Sequence, residues 1–313
     1  MTLDTAFGTP HGAPIDYNWL RLLRREETSR THLRLRPGTA RLLRAFGVLA
    51  AVAAPAAVEA AIAADKAVDG DTHETVASPA QAVIELRQYT LHPGQRDTLI
   101  DLFERHFVES QEAEGMRLLG QFRDLDDPDR YVWLRSFSSM VARQGALQRF
   151  YAGPVWKAHR DAANATMIDS DNVLLLRPAD AGASFDLSGL TRPAVDAHDD
   201  DATALVVAHI HYLQQPATPA LLDLVRTQGA SRWRAAGAQP LAMLVSEYAE
   251  NTFPALPVRR GEHVLVTFTA FDDAAHHERA MAVAQEFDSV LQPYRSRASE
   301  TLRLQPTRRS LLR

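Results

Sequence analysis

Glu85, Arg87 and Tyr89 stand two residues apart in the run VIELRQYTL, residues 83–91. In an extended chain alternate side chains share a face, so a carboxylate, a guanidinium and a phenol come out on one side of a strand. Trp133, Arg135 and Phe137 repeat this spacing in RYVWLRSF. An arginine presents a fixed fork of donors that suits a carboxylate or a carbonyl-bearing ligand, and two of them on neighbouring strands would converge on one. A simpler use of the same residues pairs Glu85 with Arg87 inside the structure and lets Tyr89 pack. His209 and His211 form a second pair at strand spacing in ALVVAHIHYL, and His263 opens a later strand. Histidines at i and i+2 can both reach a metal. Here Glu262 points away from His263 and no acidic third ligand is assured, so no metal is assigned. His106, between Phe103 and Phe107, and His159, one helical turn from Trp156, fit packing roles.

These residues need strands and helices to hold them. Residues 83–91 alternate and are rich in β-branched and aromatic types, which predicts a strand. His92-Pro93-Gly94 breaks it, and Leu99, Leu102, Phe103 and Phe107 recur at helical spacing over 95–111. Strands over 117–123 and 131–137 flank the polar turn DLDDPDR and predict an antiparallel hairpin. Ser138 and Ser139 can cap a helix running to about Tyr151. Gly153-Pro154 interrupts it, a second helical segment covers 155–167, and residues 171–177 form a closing strand.

The order returns after a polar linker at 179–203. Residues 204–213 predict a strand, and Thr218-Pro219 a capped helix start. Strands at 240–247 and 263–269 follow, then a helix opened by Asp272-Asp273, and a last strand at 300–305. Two βαββαβ units, 82–178 and 204–306, are therefore expected, each an antiparallel sheet with helices on one face. The bare apolar faces seek each other, which predicts an α+β protein: two ferredoxin-like units packed sheet to sheet as a dimeric α/β barrel within one chain. Aligned by strand, Glu85 meets Val207, Arg87 meets His209, and Tyr89 meets His211. Polar positions thus recur on one face, and Arg87 and His209 are expected beside a polar cavity of the barrel.

The chain has 313 residues, 46% hydrophobic and 23% charged, with a net charge of −5 and no cysteine. The charge implies no general attraction to nucleic acid. The missing thiols exclude disulfides, iron–sulfur clusters and a cysteine nucleophile. Residues 1–81 differ in kind. Eight arginines lie between Arg21 and Arg44, and eleven of the twenty residues 45–64 are alanine. Glu59 and the weak hydrophobicity of alanine argue against a membrane span. The arm is expected to be disordered or loosely helical and the protein cytoplasmic. A signal-like segment around 41–64, implying export, is the alternative.

IELRQYTLHPG, the GQF of the second strand, WLRSF of the third and GPVW before the last helix resemble the NIPSNAP family over residues 82–178. Residues 204–306 resemble a diverged copy that has lost ELR-x-Y and GPVW. The resemblance implies a ferredoxin-like fold in a dimeric α/β barrel, and no particular reaction. Since the duplication satisfies the usual dimer internally, a monomer or a weak homo-oligomer is expected. No nucleophile–base–orienter set appears by spacing. Binding of a small ligand or a partner in a barrel cavity, by Glu85, Arg87, Tyr89, Trp133, Arg135, His209 and His211, is the first functional reading. The alternative is a cofactor-independent monooxygenase or a haem-handling enzyme, which this barrel hosts elsewhere. No cofactor is required, although haem stays open. The loop from Tyr248 to Glu262 is long enough for a lid or a cover for a barrel edge.

Overall fold

The computed structural model describes residues 82–196 and 204–313. The expectations for the arm, and for the end of the linker at 197–203, lie outside the described residues. The first unit runs β1 (Val83–Leu91), α1, β2 (Arg117–Asp124), β3 (Arg130–Phe137), α2 (Met140–Ala152), α3 (Pro154–Asn164) and β4 (Met167–Pro178). The second runs β5 (Leu205–Leu213), α4, β6 (Gln239–Ser246), β7 (His263–Phe271), α5 (Ala274–Leu291) and β8 (Glu300–Pro306). Helix α1 consists of Arg96–Leu102, a π-helical turn Phe103–Phe107 and Val108–Glu112. Helix α4 consists of Pro219–Leu224, a π-helical turn Val225–Gly229 and Ala230–Ala235. Among the described residues no helix is long and apolar enough to cross a membrane.

The eight strands close into one barrel in the order β1-β3-β2-β8-β5-β7-β6-β4. Each unit contributes four strands, and the seams are short antiparallel pairings. Phe122 to Asp124 face Pro306 to Leu304 at one seam, and Leu176 to Pro178 face Ser246 to Leu244 at the other. The two sheets therefore do more than stack: joining their edges leaves no open strand for another chain to pair with. Ile84, Leu86, Val132 and Leu134 of one unit meet Val206, Ala208, Val266 and Leu302 of the other in the barrel interior. The alternate residues of each strand, Glu85 and Arg87 among them, must point outward beneath the helices.

The repeat is carried by backbone geometry as well as by element order. Val83–Leu91 and Leu205–Leu213, like the π turns Phe103–Phe107 and Val225–Gly229, are related by one offset of 122 residues. A π turn is rare, so its return at the matching place is strong support for duplication. Ser139 and Asp273 cap α2 and α5 in the same way, each side-chain oxygen accepting the amide three residues on. Phe137 and Phe271 hold matching register positions, opposite Val83 and Leu205.

Two details differ from expectation. The second helical segment ends at Asn164, not Met167, because the Thr166 hydroxyl turns back to donate to the Ala163 carbonyl at 2.7 Å and β4 begins at once. The segment after β4 is not merely a polar tether: Phe185 and Leu187 insert into the barrel core, with Phe185 against Phe268. Apolar residues so placed stabilise the end of the barrel.

The chain's last residues close another part of the core. Leu312 joins the interior cluster, its amide donates to the Leu119 carbonyl at 3.1 Å, and Ser310 Oγ accepts from the Gln121 amide at 3.1 Å. Leu312→Ala is expected to cost about 2–5 kcal/mol, the range for a buried leucine. Urea unfolding checks this through a lower midpoint at unchanged slope.

Candidate functional site

In the first unit, the outward residues of β1 and β3 meet α1 and α2. Glu85 is the centre. Its Oε2 accepts from Arg87 Nη1 at 2.8 Å and from Arg135 Nε at 2.8 Å, and its Oε1 from Arg143 Nε at 2.6 Å. All four side chains are buried. Burial would raise the Glu85 carboxyl, but Arg135, Arg87 and Arg143 outweigh it and hold the group far below the usual carboxylate range. Arg87 Nε donates to Tyr89 Oη at 3.0 Å, Arg135 Nη1 to Gln111 Oε1 at 2.8 Å, and Arg143 Nη1 to Asn251 Oδ1 at 3.0 Å. Trp133 lies under both Arg87 and Arg135, 5.4 and 5.1 Å from their guanidinium carbons. Phe103 fills the remainder, 4.8 Å from the Trp133 ring.

The structure thus brings Glu85, Arg87, Tyr89, Trp133 and Arg135 together, as their spacing suggested, with Arg143 added. It does not bring them to a barrel cavity shared with His209. Their face turns outward because the apolar alternate residues claim the interior, and β1 and β5 are separated by three strands. The Glu85 carboxylate is saturated by three arginines. The Tyr248–Glu262 loop covers this cluster through Asn251 and Thr252, and Phe253 stacks on Tyr151 at 5.8 Å.

The matching layer of the second unit is built from smaller residues. At the same offset of 122, His209 and His211 of β5 replace Arg87 and Tyr89, Val207 replaces Glu85, Val225 replaces Phe103 and Gly229 replaces Phe107. Opposite His209 stands Thr267, where Trp133 stands opposite Arg87. Counting from the paired caps Ser139 and Asp273, His277 takes the place of Arg143. Losing the Trp133 and Phe107 rings and the arginine stems opens a cavity of about 490 Å³ under α5, lined by His209, His211, Trp233, His277, Met281 and Phe287 among others.

Its polar groups are oriented. The Ser299 hydroxyl donates to Asp288 Oδ1 at 3.2 Å and accepts from Arg295 at 2.8 Å, so toward His211 it offers only a lone pair. We assign the Nδ1–H tautomer to His211, whose Nδ1 then donates to Ser299 Oγ at 2.9 Å. In this tautomer Nε2 is the acceptor of the ring. His209 Nδ1 pairs with Thr301 Oγ1 at 3.1 Å, while its Nε2 and both ring nitrogens of His277 are buried with no partner. Burial, with His277 adding repulsion, pulls His209 down to about 4; burial and then His209 pull His211 to about 3. Burial also lowers His277. All three are neutral imidazoles at neutral pH. Trp233 lies nearly parallel to His209, with ring centres 5.9 Å apart and planes within 12°.

His263 does not join them: it sits at the start of β7 and meets the Tyr248 hydroxyl at 2.9 Å. Among the described residues no three His, Asp or Glu side chains are grouped to hold a metal. Haem fits poorly, since its propionates need cations and Arg303, at the rim of this cavity, already pairs with Asp126 and Glu278. His106 and His159 stack on each other, centres 3.7 Å apart, on the helices of the first unit. Sequence spacing missed His277, Trp233 and Ser299. The paired caps carry the signal for His277, because a helix begun at matching residues presents matching first turns.

Comparison with known proteins agrees with this division. Residues 84–181 match the NIPSNAP family model, which covers the first unit. No curated protein matches the sequence. Among solved structures, a "putative monooxygenase" of Fusobacterium nucleatum subsp. nucleatum ATCC 25586 aligns over 72% of this chain and 93% of its own, with a TM-score of 0.46 and 8% identity. Another so named, from Lactobacillus acidophilus NCFM, aligns over 74% and 98%, with a TM-score of 0.45 and 12% identity. A NIPSNAP family protein with unknown function from Agrobacterium tumefaciens str. C58 is 22% identical over 32% of this chain and 91% of its own, with a TM-score of 0.30.

Proposed function

We propose that this protein binds a small, flat, hydroxyl-bearing molecule in the cavity beneath α5. His211 Nε2 accepts the ligand's hydrogen bond, and the ligand ring lies along Trp233 and His209. The observation that carries this reading is the imidazole-lined cavity, in which His211 Nε2 serves as the acceptor beside the buried His209 Nε2 and His277 ring nitrogens, which have no partner. A buried polar atom left unpaired costs about 1–3 kcal/mol, and a ligand that pairs it recovers part of that cost. Few convergent polar groups in a mostly apolar cavity are the ordinary make-up of a small-molecule site. Of the residues expected to bind, His209 and His211 serve in this reading. Glu85, Arg87, Tyr89, Trp133 and Arg135 build the first unit instead. A cofactor-independent oxygenase would ask the same His211 lone pair to take a proton from a phenol, so ligand binding comes first in either reading.

Calorimetric titration with phenol, 4-ethylphenol and 2-naphthol tests it. At least one should bind saturably with a dissociation constant below about 1 mM, the scale of roughly 4 kcal/mol. His211→Leu should weaken that binding about tenfold, the loss of one hydrogen bond, whereas Arg87→Lys should leave it unchanged. Absence of saturable binding by all three, or equal loss in both variants, contradicts the proposal.

A further inference from the structure

A second cavity, of about 220 Å³, lies under the π turn of α4, lined on one side by Val225, Gly229, Ala230, Leu241 and Met243 and on the other by Asp180, Arg226 and Arg234. It shares Trp233, Thr267 and Phe287 with the histidine cavity, so the two meet at one wall. The first unit shows why the space exists. There Phe103 and Phe107 contact each other at 5.9 Å and Phe103 packs on Trp133, closing the layer. Their counterparts Val225, Gly229 and Thr267 lack all three rings. Gly229 is needed where it stands: a Cβ there would come 2.7 Å from the Phe287 ring, the side chain that forms the shared wall. At the far side Thr269, 1% exposed, has a hydroxyl with no partner.

From this we infer that the two cavities are one elongated site, and that its ligand is an amphiphile: a hydroxyl-bearing ring at the histidines with a short unbranched alkyl chain running past Trp233 and Phe287 into the chamber under α4. This deepens the binding reading above and rests on it. The side of the chamber formed by Val225, Ala230, Leu241 and Met243 suits methylenes, and a chain lying along it loses more contact with water than one directed at the mouth.

The test is a series of 4-n-alkylphenols, from ethyl through butyl and hexyl to octyl, titrated against the full chain. Affinity should rise about fourfold per methylene until the chamber is full, then level off. Ala230→Phe, which fills the chamber, should flatten the series from butyl to octyl. Ala230→Leu serves the same purpose with a smaller change should the phenylalanine impair folding, and melting curves establish which variants are folded. A flat series in the parent protein, or an undiminished slope in a folded Ala230 variant, overturns the inference while leaving the ligand site standing. Failure of 4-ethylphenol itself to bind, along with phenol and 2-naphthol, removes the site and the inference together.

Discussion

Glu85→Gln is expected to lower the melting temperature by about 10 °C. The amide is nearly isosteric, so packing hardly changes, but three buried guanidinium groups lose their only shared carboxylate. Removing one partner of a buried ionic network costs about 3–5 kcal/mol, and a domain of this size loses roughly 2–4 °C per kcal/mol. The second unit suggests the compensation. It carries Val207, His209, Thr269 and His277 where the first has Glu85, Arg87, Arg135 and Arg143. Replacing a whole ionic cluster with neutral residues is often close to neutral in stability. The quadruple change E85V/R87H/R135T/R143H should therefore melt above Glu85→Gln alone, although it carries three more substitutions. Thermal unfolding followed by circular dichroism compares the two directly. A Glu85→Gln protein that melts with the parent would mean the cluster is not the buried network described.

Acid should destabilise the protein between pH 6.5 and 4, beginning well above the ordinary range of carboxylate titration. His209 and His211 are held at about 4 and about 3 in the folded protein, against about 6.5 in the unfolded chain. Between those limits the unfolded state binds more protons, so stability is complete above pH 6.5 and falls as pH falls. For His211, 3% exposed, the loss by pH 4 is on the order of 3 kcal/mol at ~1.4 kcal/mol per pH unit. His106 and His277 shift the same way and add to the slope. Glu85 also loses stabilisation in acid, but only below its unfolded value near 4.3, so the two windows separate. Urea midpoints at half-unit steps of pH should show the decline, and His211→Leu should make it shallower. A flat profile from pH 7 to 5 in the parent protein would contradict burial of these rings.

Much of the fold was legible because it rests on local signals. The alternation of VIELRQYTL, the break at His92-Pro93-Gly94 and the polar turn before Arg130 each specify one element, and the return of the same element order after residue 204 specifies a second unit. The closed barrel was less legible, since its seams involve three residue pairs each at strand ends with no pattern of their own. The site was half legible. Strand periodicity placed Glu85, Arg87 and Tyr89 on one face correctly, but period two cannot say whether that face turns toward the barrel or the helices. The neighbours decide it: Ile84, Leu86, Val206 and Ala208 are apolar, and two apolar faces exclude water best against each other. That Glu85 would be saturated depended on Arg143, more than fifty residues away on a helix whose rotation no strand pattern reports. Openness of the second layer depended on what is missing, and the small residues Val225, Gly229 and Thr267 acquire meaning only when aligned with Phe103, Phe107 and Trp133.

The central claim is that one layer of this two-unit fold is filled by an ionic cluster and the other is open around three neutral histidines. Nitrogen-15 spectra of histidine-labelled protein test it most directly, with 4-ethylphenol added to saturation. The account predicts that His211 appears as the Nδ1–H tautomer before addition. It further predicts that the His209, His211 and His277 ring signals move on binding while those of His106 and His159 stay in place. The opposite tautomer at His211, or ligand-induced shifts confined to His106 and His159, would contradict it.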